Sequence, residues 1–419
     1  MHVVMTTVGT RGDVQPFVAL GRALGARGHR VDLATHVDHE SFVRGHGLGF
    51  RPIGGSFLAL VQSELGRAWI ESGDNLARYL KTTRAAFGSV LPTWYADSGR
   101  ACEDADVVVT HPMVCGAFHV AEKRSVPLVC VSLYPVIASG ELAPMTFPRM
   151  PAWGWLRRFV WNQASRGMSA IARPYLAAHR AELGLPPVRP KDEFREALLR
   201  GRVLHAYSGH LVPRPRDWPD NVQVTGFLTL PAAPDYLPPP GLEAFLRAGE
   251  PPIYVGFGSM TGRDPEELTR TTLDAIRRAK QRAVVVTGWG GIEPGRVQGE
   301  DVYLAREVPH DWLFPHVRAA VHHGGAGTTA ASLRAGLPTL VVAFFGDQTF
   351  WGHHVGAVGA GPRPLQRRAL DPVTLGEAIA RTVACESYAK AARALGEKLR
   401  AEDGVGAAVA RVEAHAAGG

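Results

Sequence analysis

Apolar and polar residues along this chain switch between two periods, and the switches mark out its elements. Residues 2–8 form a short apolar run that ends in a glycine turn. Phe17, Leu20 and Leu24 then recur at helical spacing behind Pro16, which suits a first helical position. Gly28 closes that helix, and VDLAT at 31–35 restarts a strand. This is one β-α-β unit, and strands apolar on both faces imply a parallel sheet. The same grammar returns at VVVT (107–110) and LVCVSL (128–133). The proline-dense stretch LTLPAAPDYLPPPGLEAFLRAGEPP, from 228 to 252, continues neither a helix nor a central strand. It divides the chain into residues 1–228, an interdomain linker at 229–252, and residues 253–419. IYVGFGSM (253–260) and a helix from Pro265 repeat the opening order, followed by strands at AVVVTG (283–288), AAVH (319–322) and TLVVAF (339–344). The pattern predicts an α/β protein of two similar halves, with ligands outside the carboxyl ends of the strands. The Ala-rich tail from Tyr388 reads as helix, able to pack back on the first domain.

Composition narrows the function classes. With 419 residues, 46% hydrophobic and 20% charged, the chain is long enough for two or three folded domains and is neither disordered nor fibrous. The net charge of +7 is scattered in ones and twos, without the basic blocks of a nucleic-acid arm, so no nucleic-acid partner is expected. It is compatible with weak attraction to anionic ligands or a membrane surface. Cys102, Cys115, Cys130 and Cys385 are too sparse for a disulfide framework and show no C-x-x-C spacing, which suits a cytoplasmic protein. MHVVMTTVGT lacks the features of a signal peptide, and the longest apolar run falls short of the ~20 residues that span a bilayer. Oligomeric state is not readable from these patterns.

The segment 139–168 departs from its surroundings. Met145, Phe147, Met150, Trp153, Trp155, Phe159 and Trp161 crowd it together with Arg149, Arg157 and Arg158. Such a mixture suits an apolar ligand or a membrane surface, and equally a loop and helix that pack their rings on the domain.

The strongest chemical signal is HHGGAGTTAASLRAGLPTLVVAFFGDQ at 322–348. A glycine turn running into a helix aims backbone N–H groups at an anion, so Gly324, Gly325, Ala326, Gly327 and Thr328 form a candidate diphosphate seat. His322 adds an imidazole donor, and Asp347 with Gln348 can orient several hydroxyls of a sugar. Gly325-x-Gly327-x-x-Ala330 with Asp347 about 20 residues on also fits a dinucleotide fingerprint, so an NAD-dependent oxidoreductase stays open at this level. Asp13, three residues before Pro16, reads on its own as a helix cap. Asp104-Ala105-Asp106 spells a metal-binding D-x-D but precedes a strand and reads as a solvated strand start. His322/His323 and His353/His354 lack the i,i+4 spacing of paired ligands on one helix face, and neighbours in a strand point oppositely, so no metal is expected. His111, at the end of VVVT, is either an acceptor-cleft residue or a turn histidine before Pro112. No G-x-x-x-x-G-K-[ST] occurs.

HHGGAGTTAASLRAGLPTLVVAFFGDQ, with EVPHDWLFP at 307–315 upstream and GTRGDVQPFVALGRALGARGH near the N-terminus, resembles family-1 glycosyltransferases, especially their sterol and antibiotic branch. The likeness runs from residue 6 to about residue 370 and is weakest in 56–100 and 139–200. It implies a GT-B fold, two Rossmann-like domains with parallel sheets facing across a cleft. The acceptor would sit mostly in the first domain and the nucleotide sugar in the second. Carried over residue by residue, it implies that His322 contacts the pyrophosphate, that 324–328 line it, and that Asp347 and Gln348 hold the sugar. Val308 would meet the base through its backbone and Ser259 would reach the phosphates. Trp312 is either a base-stacking ring or the anchor of its own short helix. Asp13 becomes the candidate catalytic base. His111, Met145, Phe147 and Trp153 are candidate acceptor contacts. The implied reaction is inverting, metal-independent transfer of glucose or a related hexose, from UDP-glucose or else a dTDP-deoxysugar, to a hydroxyl of a lipophilic sterol, polyketide or phenol. No cofactor is required. A carrier of lipophilic ligands is the non-enzymatic alternative.

Overall fold

The computed structural model describes residues 1–70, 76–187, 198–233, 235–258, 265–287 and 300–418. Seven parallel strands build the first sheet: β1 (His2–Thr6), β2 (Arg30–His36), β3 (Gly49–Ile53), β4 (Val107–Thr110), β5 (Leu128–Ser132), β6 (Arg202–His205) and β7 (Val222–Val224), in the order β3-β2-β1-β4-β5-β6-β7. Six more build the second: β8 (Ile253–Gly256), β9 (Ala283–Val286), β10 (Val302–Ala305), β11 (Ala319–His322), β12 (Thr339–Ala343) and β13 (Leu365–Gln366), in the order β10-β9-β8-β11-β12-β13. This is the two-sheet parallel α/β architecture that the apolar runs imply. The central strands are buried along their whole length because helices cover both faces.

Each sheet reverses its strand order once, between β1 and β4 and between β8 and β11. The crevice of an open α/β sheet lies at such a point, beyond the strands' carboxyl ends. β1 and β4 run in register, Thr6 beside Thr110 with their hydroxyls 2.6 Å apart, and β8 and β11 pair Gly256 with His322. The loops leaving these four strands therefore face each other across one cleft.

Two local predictions need correction. The first helix spans Arg11–Ala26, so Pro16 lies inside it and not at its first position. Thr10 is the N-cap, and Asp13 folds back to accept from it in a capping box. The proline-dense stretch also contains a short helix, Leu242–Arg247, begun by Gly241 and anchored by the fully buried Leu242.

The chain's end returns to the first sheet. The helix Gly404–Ala417 sets Ala408, Val409 and Val412 into the core beside Val18 and Leu24, and its Glu413 pairs with Arg27 at 2.9 Å and His29 at 3.0 Å. Trp351 packs against Tyr207 and Phe227, Trp69 meets Phe345, and Arg11 pairs with Glu307 at 3.4 Å. The two halves are thus held together at both rims of the cleft.

Candidate active site

The cleft encloses about 2800 Å³ between the halves. Its first wall begins at the turn after β1. Gly9 has φ +134°, and a Cβ there would collide with the Asp13 carboxylate, so only glycine lets that carboxylate fold back over the loop. Asp13 Oδ2 accepts from the Thr10 N–H at 2.8 Å and from the Thr10 hydroxyl at 3.0 Å. The carboxylate lines the cleft and is half-buried; burial raises its pKa, against the Thr10 hydrogen bonds. Capping and exposure to the cleft are therefore two duties of one side chain.

The facing wall is the start of the Ala326–Arg334 helix. Gly325 is its N-cap, and the turn Gly325–Thr328 opens on the cleft, where unpaired N–H groups and the helix dipole favour an anion. Gly324 behind it has φ +90°, and a Cβ there would lie 2.5 Å from Val341 Cγ1. The Gly324 N–H donates to His322 Nδ1 at 2.9 Å, which leaves the His322 Nε2–H to donate to Ser332 Oγ at 3.3 Å. His322 is fully buried, its pKa driven well down by burial, and it does not line the cleft. It shapes the glycine turn from behind, which corrects its assignment as a diphosphate contact. The side chain that reaches the cleft is its neighbour. His323 lies against two glycines: a Cβ at Gly325 would sit 2.5 Å from its Nε2, and one at Gly258 would sit 3.1 Å from its Cε1. Burial lowers its pKa to about 4, so it stands as a neutral imidazole at pH 7.

Two variants separate these roles. His322→Ala removes two buried hydrogen bonds and should lower the melting temperature, at a cost of about 1–3 kcal/mol. His323→Ala should leave melting unchanged and weaken nucleoside diphosphate binding about tenfold or more, as expected for a lost hydrogen bond to a charged group. Thermal melts and titration calorimetry on both variants check this pair.

Asp347 and Gln348 close the cleft after β12. Gln348 Oε1 accepts from the N–H groups of Phe344 and Phe345 at 2.7 and 3.2 Å, so it braces the turn. Asp347 Oδ2 accepts from Trp351 Nε1 at 2.7 Å. Burial raises the Asp347 carboxyl to about 6; the Trp351 bond opposes this, and the charge of Asp13 across the cleft adds to it. The Asp347 carboxyl thus senses the charge of a carboxylate from the other domain.

Val308, Met145 and Phe147 line the cleft. His111 does not: it is buried behind the wall between Phe17 and Tyr134, and burial takes its pKa down to about 3. Trp153 faces outward and lines none of the cleft. Trp312 packs on Tyr236 and His316, as the anchor of its own helix. Ser259 lies outside the described residues. Asp104 is taken up by Arg51 and His2, at the amino end of β4, away from the cleft. Sequence reasoning missed His323 and Arg11; the cleft-lining Arg11 guanidinium lies 3.7 Å over the Phe42 ring.

Comparison with known proteins agrees with the fold. Residues 3–142 match the glycosyltransferase family 28 N-terminal domain, and residues 272–413 match the erythromycin biosynthesis protein CIII-like C-terminal domain. The chain is 37% identical over 418 residues to a sterol 3-beta-glucosyltransferase of Arabidopsis thaliana, covering 98% of this chain and 64% of that protein. A second Arabidopsis sterol 3-beta-glucosyltransferase is 34% identical over 429 residues, covering 99% and 68%. One from Aspergillus terreus is 33% identical over 428 residues, covering 98% and 29%. The chain thus spans about two thirds of the plant relatives and under a third of the fungal one. Among solved structures, the glycosyltransferase of kitacinnamycin aligns with a TM-score of 0.71 at 19% identity, over 99% of this chain and 98% of that one. Glycosyltransferase VinC in complex with dTDP aligns at 0.70 and 21%, over the whole of both chains. At such identities these structures speak for the fold.

Proposed function

Since the chain belongs to the sterol and antibiotic branch of the family-1 GT-B glycosyltransferases, we propose that it transfers glucose or a related hexose from a nucleoside diphosphate, UDP for preference, to a hydroxyl of a lipophilic small molecule, with inversion and without a metal. The observation that carries this reading is the opposition of Asp13 to the Gly325–Thr328 helix start across one cleft. An acceptor hydroxyl beside Asp13 attacks the anomeric carbon and gives its proton to the carboxylate. The bond from that carbon to the phosphate oxygen breaks on the opposite face, and the diphosphate leaves with the electron pair. One displacement of this kind inverts the centre.

The leaving diphosphate gains charge as the bond breaks. Fixed N–H groups at the helix start, with His323 beside them, are oriented before that charge develops and so stabilise it without reorganisation. This is the service a divalent ion would otherwise give. Asp347 lines the cleft, which supports its accepting from hydroxyls of the sugar, and the apolar side chains of Met145 and Phe147 suit an apolar acceptor. Family membership sets aside the dinucleotide oxidoreductase. A dTDP-sugar is the second donor reading, favoured by the bound nucleotide of VinC.

Titration calorimetry with UDP and dTDP in chelator tests the donor site. Binding of either without a divalent ion, weakened in His323→Ala, is the expected result and names the donor class. Binding that requires added magnesium overturns the metal-free reading, and no binding of either nucleotide removes the donor site itself.

A further inference from the structure

The segment between the first sheet's β5 and β6 shows rings to two sides. The helix Gly154–Glu182 turns Leu156, Val160 and Met168 to the cleft, yet Trp155 is 71% exposed, Trp153 59% and Phe159 55%. Rings of that size exposed together need a partner. They are also held in place. Arg157 donates to the carbonyls of Glu141, Met150 and Pro151 at 2.6–3.0 Å, and Trp161 Nε1 donates to that of Leu142 at 2.9 Å. Loop and helix are thereby stapled into one rigid surface.

Charge selects the partner. Residues 139–173 hold five arginines against one acid, Glu141, and Glu141 is paired with Arg216 at 3.1 Å. Arg149, Arg166 and Arg173 are exposed and make no salt bridge among the described residues. At 3.6 residues per turn, the exposed Trp155, Phe159, Arg166 and Arg173, spaced by 4, 7 and 7, fall on one stripe of the helix. Tryptophan and phenylalanine beside arginine, on a helix lying flat, match the boundary of a bilayer that carries anionic headgroups. A second copy of this face would bring arginine against arginine. No helix among the described residues is long and apolar enough to cross a membrane, so contact of this kind is with its surface.

We propose that this stripe and the loop before it dock on an anionic lipid bilayer, placing the cleft mouth where a lipophilic acceptor leaves the membrane. The acceptor half of the statement rests on the function proposed above; the docking half does not. The test is sedimentation of the full chain with vesicles of phosphatidylcholine alone and with about one third phosphatidylserine. The expected result is binding to the anionic vesicles that falls about tenfold in W155A/F159A, falls similarly in R166E/R173E, and weakens with salt. Neither ring lines the cleft, so W155A/F159A keeps the intact protein's nucleotide affinity and melting temperature. Three results overturn the proposal: no binding to anionic vesicles, equal binding to both vesicle types, or patch variants that turn a dimer into a monomer without changing vesicle binding. Nucleotide titration is read separately, so failure of the glycosyltransferase reading and failure of docking are distinct outcomes.

Discussion

Asp13→Asn lowers glycosyl transfer by roughly 10²- to 10⁴-fold while nucleoside diphosphate affinity stays at the level of the intact protein. Asparagine keeps the shape of the side chain and can still present an oxygen to the Thr10 N–H and hydroxyl, so the capping box and the start of the Arg11–Ala26 helix survive. What it loses is the capacity to take a proton. The pH profile carries the same information with a definite sign. Only the ionised carboxylate is a base, and burial raises its pKa above the usual carboxylate value, so turnover rises with pH through that raised value and levels off above it. The charge of the ionised Asp13 raises the Asp347 carboxyl across the cleft. Asp347 does not shift Asp13 in return, so Asp347→Asn should leave the acid limb in place in whatever activity remains. Steady-state rates from pH 4 to 9 on the intact protein and both variants check this. Undiminished turnover in Asp13→Asn would take the base role away and leave the residue as a helix cap alone.

Asp13 caps the helix and lines the cleft with one carboxylate, two readings that sequence reasoning set against each other. Thr10-x-x-Asp13 is a capping-box signature and was legible, but Pro16 drew the helix start five residues too late. A proline in the sixth helical position forgoes only one backbone bond near the helix start, so the rule that places proline first is a preference and not a boundary. Strands divide along a simpler line. The eight read from apolar runs, β1, β2, β4, β5, β8, β9, β11 and β12, are inner strands of the two sheets; of the five that escaped, β3, β7, β10 and β13 are the edge strands and β6 lies next to one. GFRPI mixes arginine and proline into its strand because an edge strand is covered less completely, while RVLH, buried at three of its four positions, and LQ are too short to show a period.

The histidine pair shows where reading residues one at a time runs out. Two neighbours at a strand end point oppositely, and sequence reasoning took His322 for the one that faces the cleft. The packing decides it. Ser332, one turn beyond Thr328 on the helix, stands behind the sheet and takes the His322 ring; the bare backbones of Gly258 and Gly325 leave the space that His323 fills. The glycines of this motif therefore do two jobs, freeing N–H groups for an anion and making room for an imidazole beside it.

Gly327→Asp turns that arrangement against its ligand. A Cβ on Gly327 meets nothing within 4 Å, and the residue is second in its helix, so an aspartate fits without strain. An acidic side chain at a helix start is favourable by about 0.3–1 kcal/mol, so the melting temperature should hold or rise slightly. The same carboxylate would stand at the proposed diphosphate seat. Two like charges about 4 Å apart, at an effective dielectric constant of about 20, repel by about 4 kcal/mol, which corresponds to roughly a 10³-fold loss of nucleoside diphosphate affinity. Gly327→Asn has nearly the same bulk without the charge and should lose far less, which separates electrostatics from crowding. Calorimetric titration with UDP, read beside thermal melts, is the measurement. A folded Gly327→Asp protein that still binds UDP as the intact protein does would place the diphosphate away from this helix start and would remove the reason for calling the cleft a donor site.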